Sequence, residues 1–293
     1  MMSLSPSFSR RRFLRGTAGA TLFSSGIGAS LLTACGGGND VPVALAEAPR
    51  LTSIENFRDM AGMGDAYPTA GGRRLRRGMF YRSGALTASD ADLAALSRLS
   101  IRVVHDLRAV SEAALAPDRL PDGATRETHE IARIDTDTVT LSDATDARAW
   151  MIDRQRRMIT DPAACREFGA VLTQLARKAG PQVVHGATGK DRTGWVAALV
   201  LAIADVPLDV IIQDYLATNV AAQAQISARV AAHASRFNVS QAAVMPLYQA
   251  QSAVIEAAFD EMQKRFGTLN EYLARGLGVA QDDVEMVRVK WVV

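Results

Sequence analysis

The chain has 293 residues, of which 48% are hydrophobic, enough for one substantial core once an export segment is set aside. Its formal net charge is +2, but residues 1–34 hold four arginines and no acid, which leaves 29 basic and 31 acidic residues elsewhere. This balance excludes a global basic surface for nucleic acid, so an anionic ligand must be held by a local site.

The first 35 residues resemble an export signal with a lipid-attachment site. Residues 9–15, SRRRFLR, resemble the twin-arginine signal, and the charge-free stretch over 16–34 is too short and too rich in small residues for a transmembrane helix. The sequence LTAC at 32–35 resembles a lipobox, in which Cys35 is acylated and becomes the new N-terminus. We therefore predict a signal peptide over 1–34 with its lipobox ending at Cys35, a flexible tether over 36–49 and a folded domain over 50–293.

This resemblance predicts export through the twin-arginine route to the periplasm or cell envelope, with membrane attachment through the lipid anchor only. The alternative is an ordinary signal peptide cut near residues 44–46, ALA, which leaves a soluble periplasmic protein. Because the chain has only two cysteines, acylation of Cys35 leaves Cys165 without an intramolecular disulfide partner.

Within the predicted domain, short apolar strands alternate with helical patterns. The run IRVVHDL over 101–107 predicts a buried strand, and leucines at 93, 96 and 99 predict a helix over 87–99 with Thr87 or Ser89 as its N-cap. This alternation predicts an α/β domain with a central, largely parallel sheet flanked by helices, with extra helical segments. The other predicted elements are strands over 79–82 and 182–185, helices over 149–159, 163–176, 193–204, 220–234, 244–266 and 269–275, and a polar surface loop over 135–148.

The segment 183–194, VVHGATGKDRTG, joins a predicted strand to a predicted helix through a tight turn. Gly189 permits unusual backbone angles, successive backbone amides form an anion nest, and the following helix adds the positive end of its dipole. Arg192 is placed to grip two oxygens of a phosphate. A nucleotide-binding P-loop is excluded, because Val184 and Asp191 stand where that motif needs Gly and Ser or Thr. A Gly-rich turn with a solvated Lys-Asp-Arg cluster is the remaining alternative.

Except at one position, this segment resembles the HC-x5-R loop of protein-tyrosine phosphatases. It is most similar to the loop of the bacterial tyrosine/serine phosphatase family, which reads HCxxGKDRTG. Further segments, from about residue 50 to the end, resemble other signatures of that family in the same order and imply its Cys-phosphatase-like fold. They are NFRDMAG over 56–62, FYRSGAL over 80–86, VVHDLR over 103–108, YLATN over 215–219 and YLARGLGV over 272–279.

The sequence departs from the family at the nucleophile. In the family, the residue after the loop histidine is a cysteine whose thiolate attacks phosphorus, whereas this chain has Gly186. Gly186 and Arg192 keep the spacing of the motif, so no shift of register supplies a cysteine. Cys165, about twenty residues upstream, is interpreted as a buried apolar residue. Thr188 and Thr193 lack a nearby base and are weak nucleophiles.

The resemblance also implies roles for the residues around Gly186. Asp191 is expected to protonate the leaving oxygen. The equal alternative is that Asp191 has no catalytic role and only interacts favourably with the N-terminus of the helix. Lys190 is expected to direct charge toward the phosphate, and His185 to order the loop by hydrogen bonds. The expected phosphate-binding residues are Ala187, Thr188, Gly189, Lys190, Arg192 and Thr193, and the expected supports of the loop are Arg58, Asp59, Asp106 and Arg108, for which ordinary salt bridges are the alternative.

These roles imply a phosphorylated protein or lipid as ligand, with no metal, cofactor or nucleic acid. Phosphotyrosine is the first ligand that the resemblance implies, and phosphoserine, phosphothreonine and phosphoinositides remain open. Three functions fit: a catalytically impaired phosphatase that binds phosphorylated ligands, an active phosphomonoesterase that uses water or another group, and a non-catalytic envelope lipoprotein with a vestigial loop. The cluster of Arg154, Arg156 and Arg157 is interpreted as a solvated helix face rather than as a flank for an acidic substrate.

The export signal can be tested by fractionation. Cys35→Ser is expected to release the protein from the membrane fraction, because the acylated side chain is lost. Replacing Arg10 and Arg11 by lysine is expected to retain the protein in the cytoplasm, because the twin-arginine pair is lost. Immunoblotting of cytoplasmic, periplasmic and membrane fractions measures both effects, and an unchanged distribution of both variants contradicts the predicted route.

Overall fold

The computed structural model describes residues 48–133, 135–136, 138–141 and 143–293. The predicted signal segment, Cys35, and the predicted tether as far as residue 47 lie outside the described residues. Among the described residues, no helix has both the length and the apolar character needed to cross a membrane.

A five-stranded sheet forms the centre of the domain, with strand order β1-β2-β5-β3-β4. Only β1 and β2 pair antiparallel, and the other three pairings are parallel. The predicted α/β architecture with a largely parallel sheet is therefore confirmed. The strands are β1 (Arg58–Asp59), β2 (Phe80–Ser83), β3 (Val103–Asp106), β4 (Thr125–Thr128) and β5 (Gln182–His185).

Both faces of the sheet are covered, so every residue of the central strands β2, β3 and β5 is buried, the polar residues included. Phe80 and Val184 point to the larger core, which the C-terminal helices complete, and Tyr81 and Val183 point to a smaller core beneath α1 (Asp90–Ser97). All four side chains are at most 4% exposed. This burial on two faces holds the central strands rigidly and gives the loops at their carboxyl ends a fixed platform.

Helices pack on both sides of the sheet, and the N-cap of α1 is Ser89, whose Oγ accepts a hydrogen bond from the Asp92 amide. The other α-helices are α2 (Val110–Leu115), α3 (Ala144–Thr160), α4 (Pro162–Arg177), α5 (Arg192–Ile203), α6 (Leu208–Leu216), α7 (Thr218–Ala221), α8 (Gln223–Phe237), α9 (Gln241–Tyr248), α10 (Ser252–Phe266), α11 (Leu269–Glu271) and α12 (Gln281–Trp291), and a π-helical turn, Tyr272–Gly276, follows α11.

The prediction of one helix over 244–266 is wrong, because the chain breaks between α9 and α10. Gln249 and Gln251 have extended backbone angles, and Ala250 between them is held by Asn219. The Asn219 side chain donates to the Ala250 carbonyl at 2.9 Å and accepts from its amide at 2.8 Å. A distant side chain thus replaces the helical hydrogen bonds, which periodicity within 244–266 does not reveal.

The predicted polar loop and the C-terminal end of the chain also differ between sequence prediction and structure. The polar loop predicted over 135–148 is too long, because α3 begins at Ala144 behind an Asp143 N-cap that accepts from two backbone amides. Helix α12 was not predicted, because charged residues interrupt its apolar positions. Its buried apolar stripe is narrow and consists of Val284, Val287 and Trp291. The ring of Trp291 packs edge-on against that of Phe80, with 5.3 Å between the ring centroids.

Candidate active site

The candidate site is the loop 186–191, which follows β5 at His185 and leads into α5 at Arg192. Gly189 has φ +70°, and a Cβ atom there would lie 2.5 Å from the carbonyl oxygen of Ser83. Glycine is therefore required at this position for both conformation and space. The loop consequently runs against the end of β2 as it turns into the helix.

The carbonyl groups of the loop face outwards, where other parts of the domain bind them. Within the residues that the structure describes, the amides of Ala187, Thr188 and Gly189 donate no hydrogen bond, and that of Lys190 reaches only the Thr188 hydroxyl, at 3.4 Å. Because a carbonyl and the next residue's amide point in opposite directions across a trans peptide bond, outward carbonyls at residues 187–189 turn the amides of residues 188–190 inwards, an arrangement typical of an anion nest at a helix N-terminus. The outward contacts are Ala187 O with the Ala85 amide at 3.1 Å, Thr188 O with Asn56 Nδ2 at 3.1 Å, and Gly189 O with Arg82 Nη2 at 2.9 Å.

The guanidinium of Arg192 is fixed by a carboxylate on α2. Glu112 accepts from Nη1 and Nη2 of Arg192, both at 2.7 Å, and Nη1 also donates to the carbonyls of Leu107 and Ile131. Burial alone would raise the pKa of Glu112, but the hydrogen bonds and charge of Arg192 hold this pKa below its ordinary value. Because Glu112 binds Nη1 and Nη2, the orientation of the guanidinium is fixed, and Nε of Arg192 lies beside the loop.

Position 186 lies where these groups converge. Gly186 has no positive φ, so its backbone accommodates any residue, unlike that of Gly189. A Cβ atom built on Gly186 has Thr193 Oγ1 at 3.2 Å, Arg192 Nε at 3.8 Å and Arg192 Nη2 at 3.9 Å as its nearest neighbours. The position thus faces hydrogen-bond donors, while glycine itself offers no nucleophilic atom.

Lys190 and Asp191 lie beside each other at the edge of the loop. The ammonium of Lys190 donates to the Leu247 carbonyl at 2.6 Å and lies 3.6 Å from Asp191 Oδ1. Burial lowers the pKa of this lysine, and Asp191 partly offsets that effect. The carboxylate of Asp191 does not cap α5, and among the described residues its Oδ1 has no hydrogen-bond donor. The ammonium of Lys190 therefore binds a carbonyl of α9, although the residue also lines the cavity.

His185 belongs to a buried polar network behind the loop. Its Nε2 lies 3.2 Å from Asp118 Oδ2, and Arg108 binds both Asp118 and Asp106, at 2.7 and 2.8 Å. Burial favours protonation of Asp118, but His185 and Arg108 hold its pKa below the ordinary value. The three potential ligand atoms of Asp106, Asp118 and His185 lie within 4.8 Å of one another. Because the Arg108 guanidinium already binds both carboxylates, this cluster is a support for the loop.

A second buried network holds the loop from the side of β2. Asp214 on α6 pairs with Arg82 at 2.6 Å and with Arg58 at 3.4 Å, and Arg58 also reaches the Thr218 hydroxyl at 3.3 Å. Burial opposes ionisation of Asp214, but the two guanidiniums lower its pKa below the ordinary value of 3.8. Arg82 carries this network to the loop through its contact with the Gly189 carbonyl.

Two residues considered at the sequence level lie away from the loop. Asp59 accepts hydrogen bonds from the amides of Ala61 and Gly78, at 2.8 and 2.7 Å, so it holds the turns around β1 and not the phosphate-binding segment. Cys165 is buried in α4, where its thiol donates to the Ile159 carbonyl at 3.3 Å. Burial raises the pKa of this thiol, so Cys165 does not substitute for the missing nucleophile.

The arginines on α3 do not line the cavity above the loop. The guanidinium of Arg154 lies over the Trp150 ring at 5.8 Å, and Arg157 pairs with Asp153 one turn away at 2.9 Å. Such i,i+4 pairs are typical of an exposed helix face.

The loop forms the floor of a cavity of about 210 Å³. Helices α8 and α9 supply an apolar wall that includes Ile226, Leu247 and Tyr248. At the rim, Arg229 of α8 and Glu55 form a paired contact through both nitrogens of the guanidinium, at 2.5 and 2.9 Å. A ligand in this cavity therefore meets a cationic floor and a mixed apolar and charged wall.

The loop after β5, the fixed arginine and the largely parallel sheet are together consistent with a Cys-phosphatase-like domain. Residues 49–293 match the family model described as the tyrosine phosphatase family. The chain therefore belongs to the tyrosine phosphatase family.

Two relatives are similar over most of the chain. One is named a "putative tyrosine-protein phosphatase" of Cupriavidus necator and is 30% identical over 247 residues, which cover 80% of this chain and 85% of the relative. The other is the triple specificity protein phosphatase PtpB of Mycobacterium tuberculosis, which is 31% identical over 277 residues, covering 80% of this chain and 95% of the relative.

Several residues that shape the site were not among the sequence-predicted set. Asn56 and Arg82 lie inside segments that resemble family signatures, so those segments could have indicated them. Glu112 and Asp118 have no local signal, because their partners are set by the packing of α2 and the following loop against β5. The residues found only in the structure are Glu55, Asn56, Arg82, Glu112, Asp118, Asp214 and Arg229.

Asp214→Asn is expected to destabilise the domain by about 3–5 kcal/mol, because it leaves two buried guanidiniums without their carboxylate. The low pKa of folded Asp214 means that its charge stabilises the fold above about pH 4, and that this stability is lost as the pH falls through the folded value. Urea denaturation of the parent and the variant at several pH values measures the difference.

Asp209→Asn is the matched control, because Asp209 is an exposed residue on the same helix. Its effect is expected to stay within about 0.5 kcal/mol. A difference between parent and Asp214→Asn that grows as the pH falls from about 5 to 3 would contradict the lowered pKa.

Proposed function

We propose that this protein recognises phosphate monoesters through the loop 186–193 and that cysteine-dependent hydrolysis is absent from the chain as written. The observation that carries the proposal is the arrangement of the loop. The amides of residues 187–189 donate to no other described residue, Arg192 is oriented by Glu112, and Gly186 lies beside Arg192 and Thr193. The binding elements of a phosphatase are thus present without the attacking group.

The family and the named relatives support the class of ligand. Both relatives are named as protein phosphatases, and one name adds a triple specificity. On this basis, the first ligand that we propose is a phosphorylated protein, with phosphotyrosine ranked before phosphoserine and phosphothreonine. The second is a phosphoinositide. The cationic floor supports a dianionic group, and the apolar wall of α8 and α9 supports an organic substituent next to it.

Each step of phosphoryl transfer can be assigned to groups of this chain except the first. The amides of the loop and Arg192 hold the three equatorial oxygens, whose charge is distributed in the transition state. Asp191 is placed beside the cavity to give a proton to the leaving oxygen. The covalent step requires a thiolate at position 186, and the loss of such a nucleophile costs several orders of magnitude in rate.

The second candidate is a non-catalytic, phospho-ligand-binding lipoprotein of the cell envelope. The observation in its favour is that residue 186 has no positive φ, so its backbone conformation does not require glycine. The fold therefore does not explain why the cysteine is missing. Under both candidates we propose export through the twin-arginine route and attachment at Cys35, as the sequence LTAC predicts.

Gly186→Cys is expected to raise the turnover of an aryl phosphate by about a thousandfold or more, because it supplies the thiolate beside an arranged loop. Spectrophotometric assays at saturating substrate measure this gain. Gly186→Ala is the matched control, since it adds the Cβ atom without sulfur. Adding Arg192→Ala to Gly186→Cys is expected to abolish the gain. An ordinary enzymatic rate in the unmodified chain that survives Cys165→Ala would contradict the proposal.

The chain as written is expected to bind inorganic phosphate at least as tightly as its Gly186→Cys variant. A thiolate about 4 Å from a phosphate dianion opposes binding, and its absence is expected to favour the glycine form by about 1 kcal/mol after solvent screening. Vanadate is expected to show the opposite order, because it gains a bond to sulfur. Calorimetry on both proteins with both oxyanions measures the four affinities.

Measuring both phosphate and vanadate provides the control for that experiment, because a damaged loop lowers the affinity for both anions. Phosphate binding by the cysteine variant but not by the glycine form would contradict the proposed function and favour a vestigial loop.

A further inference from the structure

Hydrogen-bond donors lie nearest to the side-chain position of Gly186. Outside the adjoining residues 185 and 187, the three heavy atoms nearest to the Cβ position are Thr193 Oγ1 and the Nε and Nη2 atoms of Arg192, at 3.2, 3.8 and 3.9 Å. A glycine in a packed interior normally borders atoms that would exclude a side chain, as the backbone around Gly189 does. The environment of Gly186 instead suits a small, electron-rich atom.

Two independent features point to a ligand in this space. The hydroxyl of Thr193 is buried, with 1% of the residue exposed, and it has no hydrogen-bond partner among the residues that the structure describes. The space also lies at the N-terminus of α5, a helix of 12 residues, where unpaired amides and the helix dipole favour negative charge. An unpaired buried hydroxyl costs free energy unless a ligand accepts its proton.

We propose that this space is a binding site for hydrosulfide, and that the bound anion attacks a phosphate monoester held in the loop. The inference rests on the proposed phosphate binding and adds a reaction to it. Thr193 and Arg192 would orient and stabilise the sulfur anion, as they would a thiolate carried by residue 186. The reaction makes the chain a hydrosulfide-dependent phosphotransferase.

Size selects hydrosulfide over organic thiols. A cysteine sulfur is joined to its own Cα through two covalent bonds, but a free molecule must remain about 3.5–4 Å from the Gly186 Cα. This contact distance from the Gly186 Cα takes up most of the room that the missing side chain leaves. A sulfur with no carbon attached fits between Gly186 and the phosphorus, whereas a second heavy atom meets Thr193 or the phosphate.

The reaction balances without a redox step. The hydrosulfide sulfur forms a bond to phosphorus as the bond from phosphorus to the ester oxygen breaks, and the leaving oxygen takes a proton from Asp191 or from water. The products are thiophosphate and the free alcohol or phenol. Since the sulfur is not tethered to the chain, thiophosphate dissociates and no covalent phosphoprotein forms. Water in the same place gives inorganic phosphate, but it is the weaker nucleophile.

The test uses the full chain with phenyl phosphate and increasing sodium hydrosulfide, followed by phosphorus NMR to separate thiophosphate from phosphate. We expect thiophosphate to form with saturation in hydrosulfide and at least about tenfold faster than without protein; the gain is modest because an untethered nucleophile lacks the effective molarity of a tethered one. Ethanethiol at the same concentration is expected to give no increase.

Two variants locate the reaction. Gly186→Ala places a methyl group in the proposed site, and Thr193→Val removes the hydroxyl while keeping the shape of the side chain. Both are expected to lose most of the thiophosphate signal. Phosphate affinity is measured by calorimetry for each protein, so that a general loss of the loop is separated from a loss of the hydrosulfide site.

Two results would overturn the inference while leaving the proposed function intact. One is normal phosphate binding with thiophosphate formation no faster than in protein-free buffer. The other is an equal rate in Gly186→Ala, which would place the reaction outside the proposed site. Failure of the unmodified chain to bind phosphate would instead overturn the proposed function, and this inference with it.

Discussion

The carbonyl groups of the loop after β5 are bound from outside, and this constraint determines the site. Once Ala187, Thr188 and Gly189 give their carbonyls to other segments, the amides of the following residues, 188–190, point the opposite way across their trans peptide bonds. The partners of these carbonyls are themselves fixed, most strongly Arg82, which is buried and paired with Asp214. The buried ion network therefore supports the loop, although no member of that network needs to touch a ligand.

The orientation of Arg192 follows from a second constraint of the same kind. A free arginine side chain has many rotamers, and ordering it against a ligand costs conformational entropy. Glu112 and two backbone carbonyls bear this cost in the folded state, before any ligand arrives. The same contacts bring α2 and the segment after β4 to the loop, which explains why local sequence gave no indication of Glu112.

The sequence predicted those parts of the molecule that depend on local chemistry. Strand β5 and the start of α5 follow from a β-branched run and a Gly-rich turn, so the position of the loop between them could be predicted from the sequence. The break between α9 and α10 depends on Asn219, which is 31 residues from Ala250 along the chain. The displacement of Asp59 from the loop depends on the turns around β1. Such long-range partners carry no periodic signal within the segments that they alter.

Gly186 separates the energetics of folding from those of catalysis. Gly186 has no positive φ, so glycine is not required there, and the ion pairs of Asp214, Arg108 and Glu112 form without a thiol. An intact loop is thus a weak argument for activity, because the fold itself uses the residues that hold it. The stronger argument for a ligand comes from the donors that the fold does not use. The amides of the loop donate to no other described residue, and the Thr193 hydroxyl is buried and unpaired, which costs about 1–3 kcal/mol. A bound oxyanion would supply acceptors for the amides, and a sulfur anion beside Gly186 would supply one for Thr193, which is the physical reason to expect that this cavity is occupied when the protein functions.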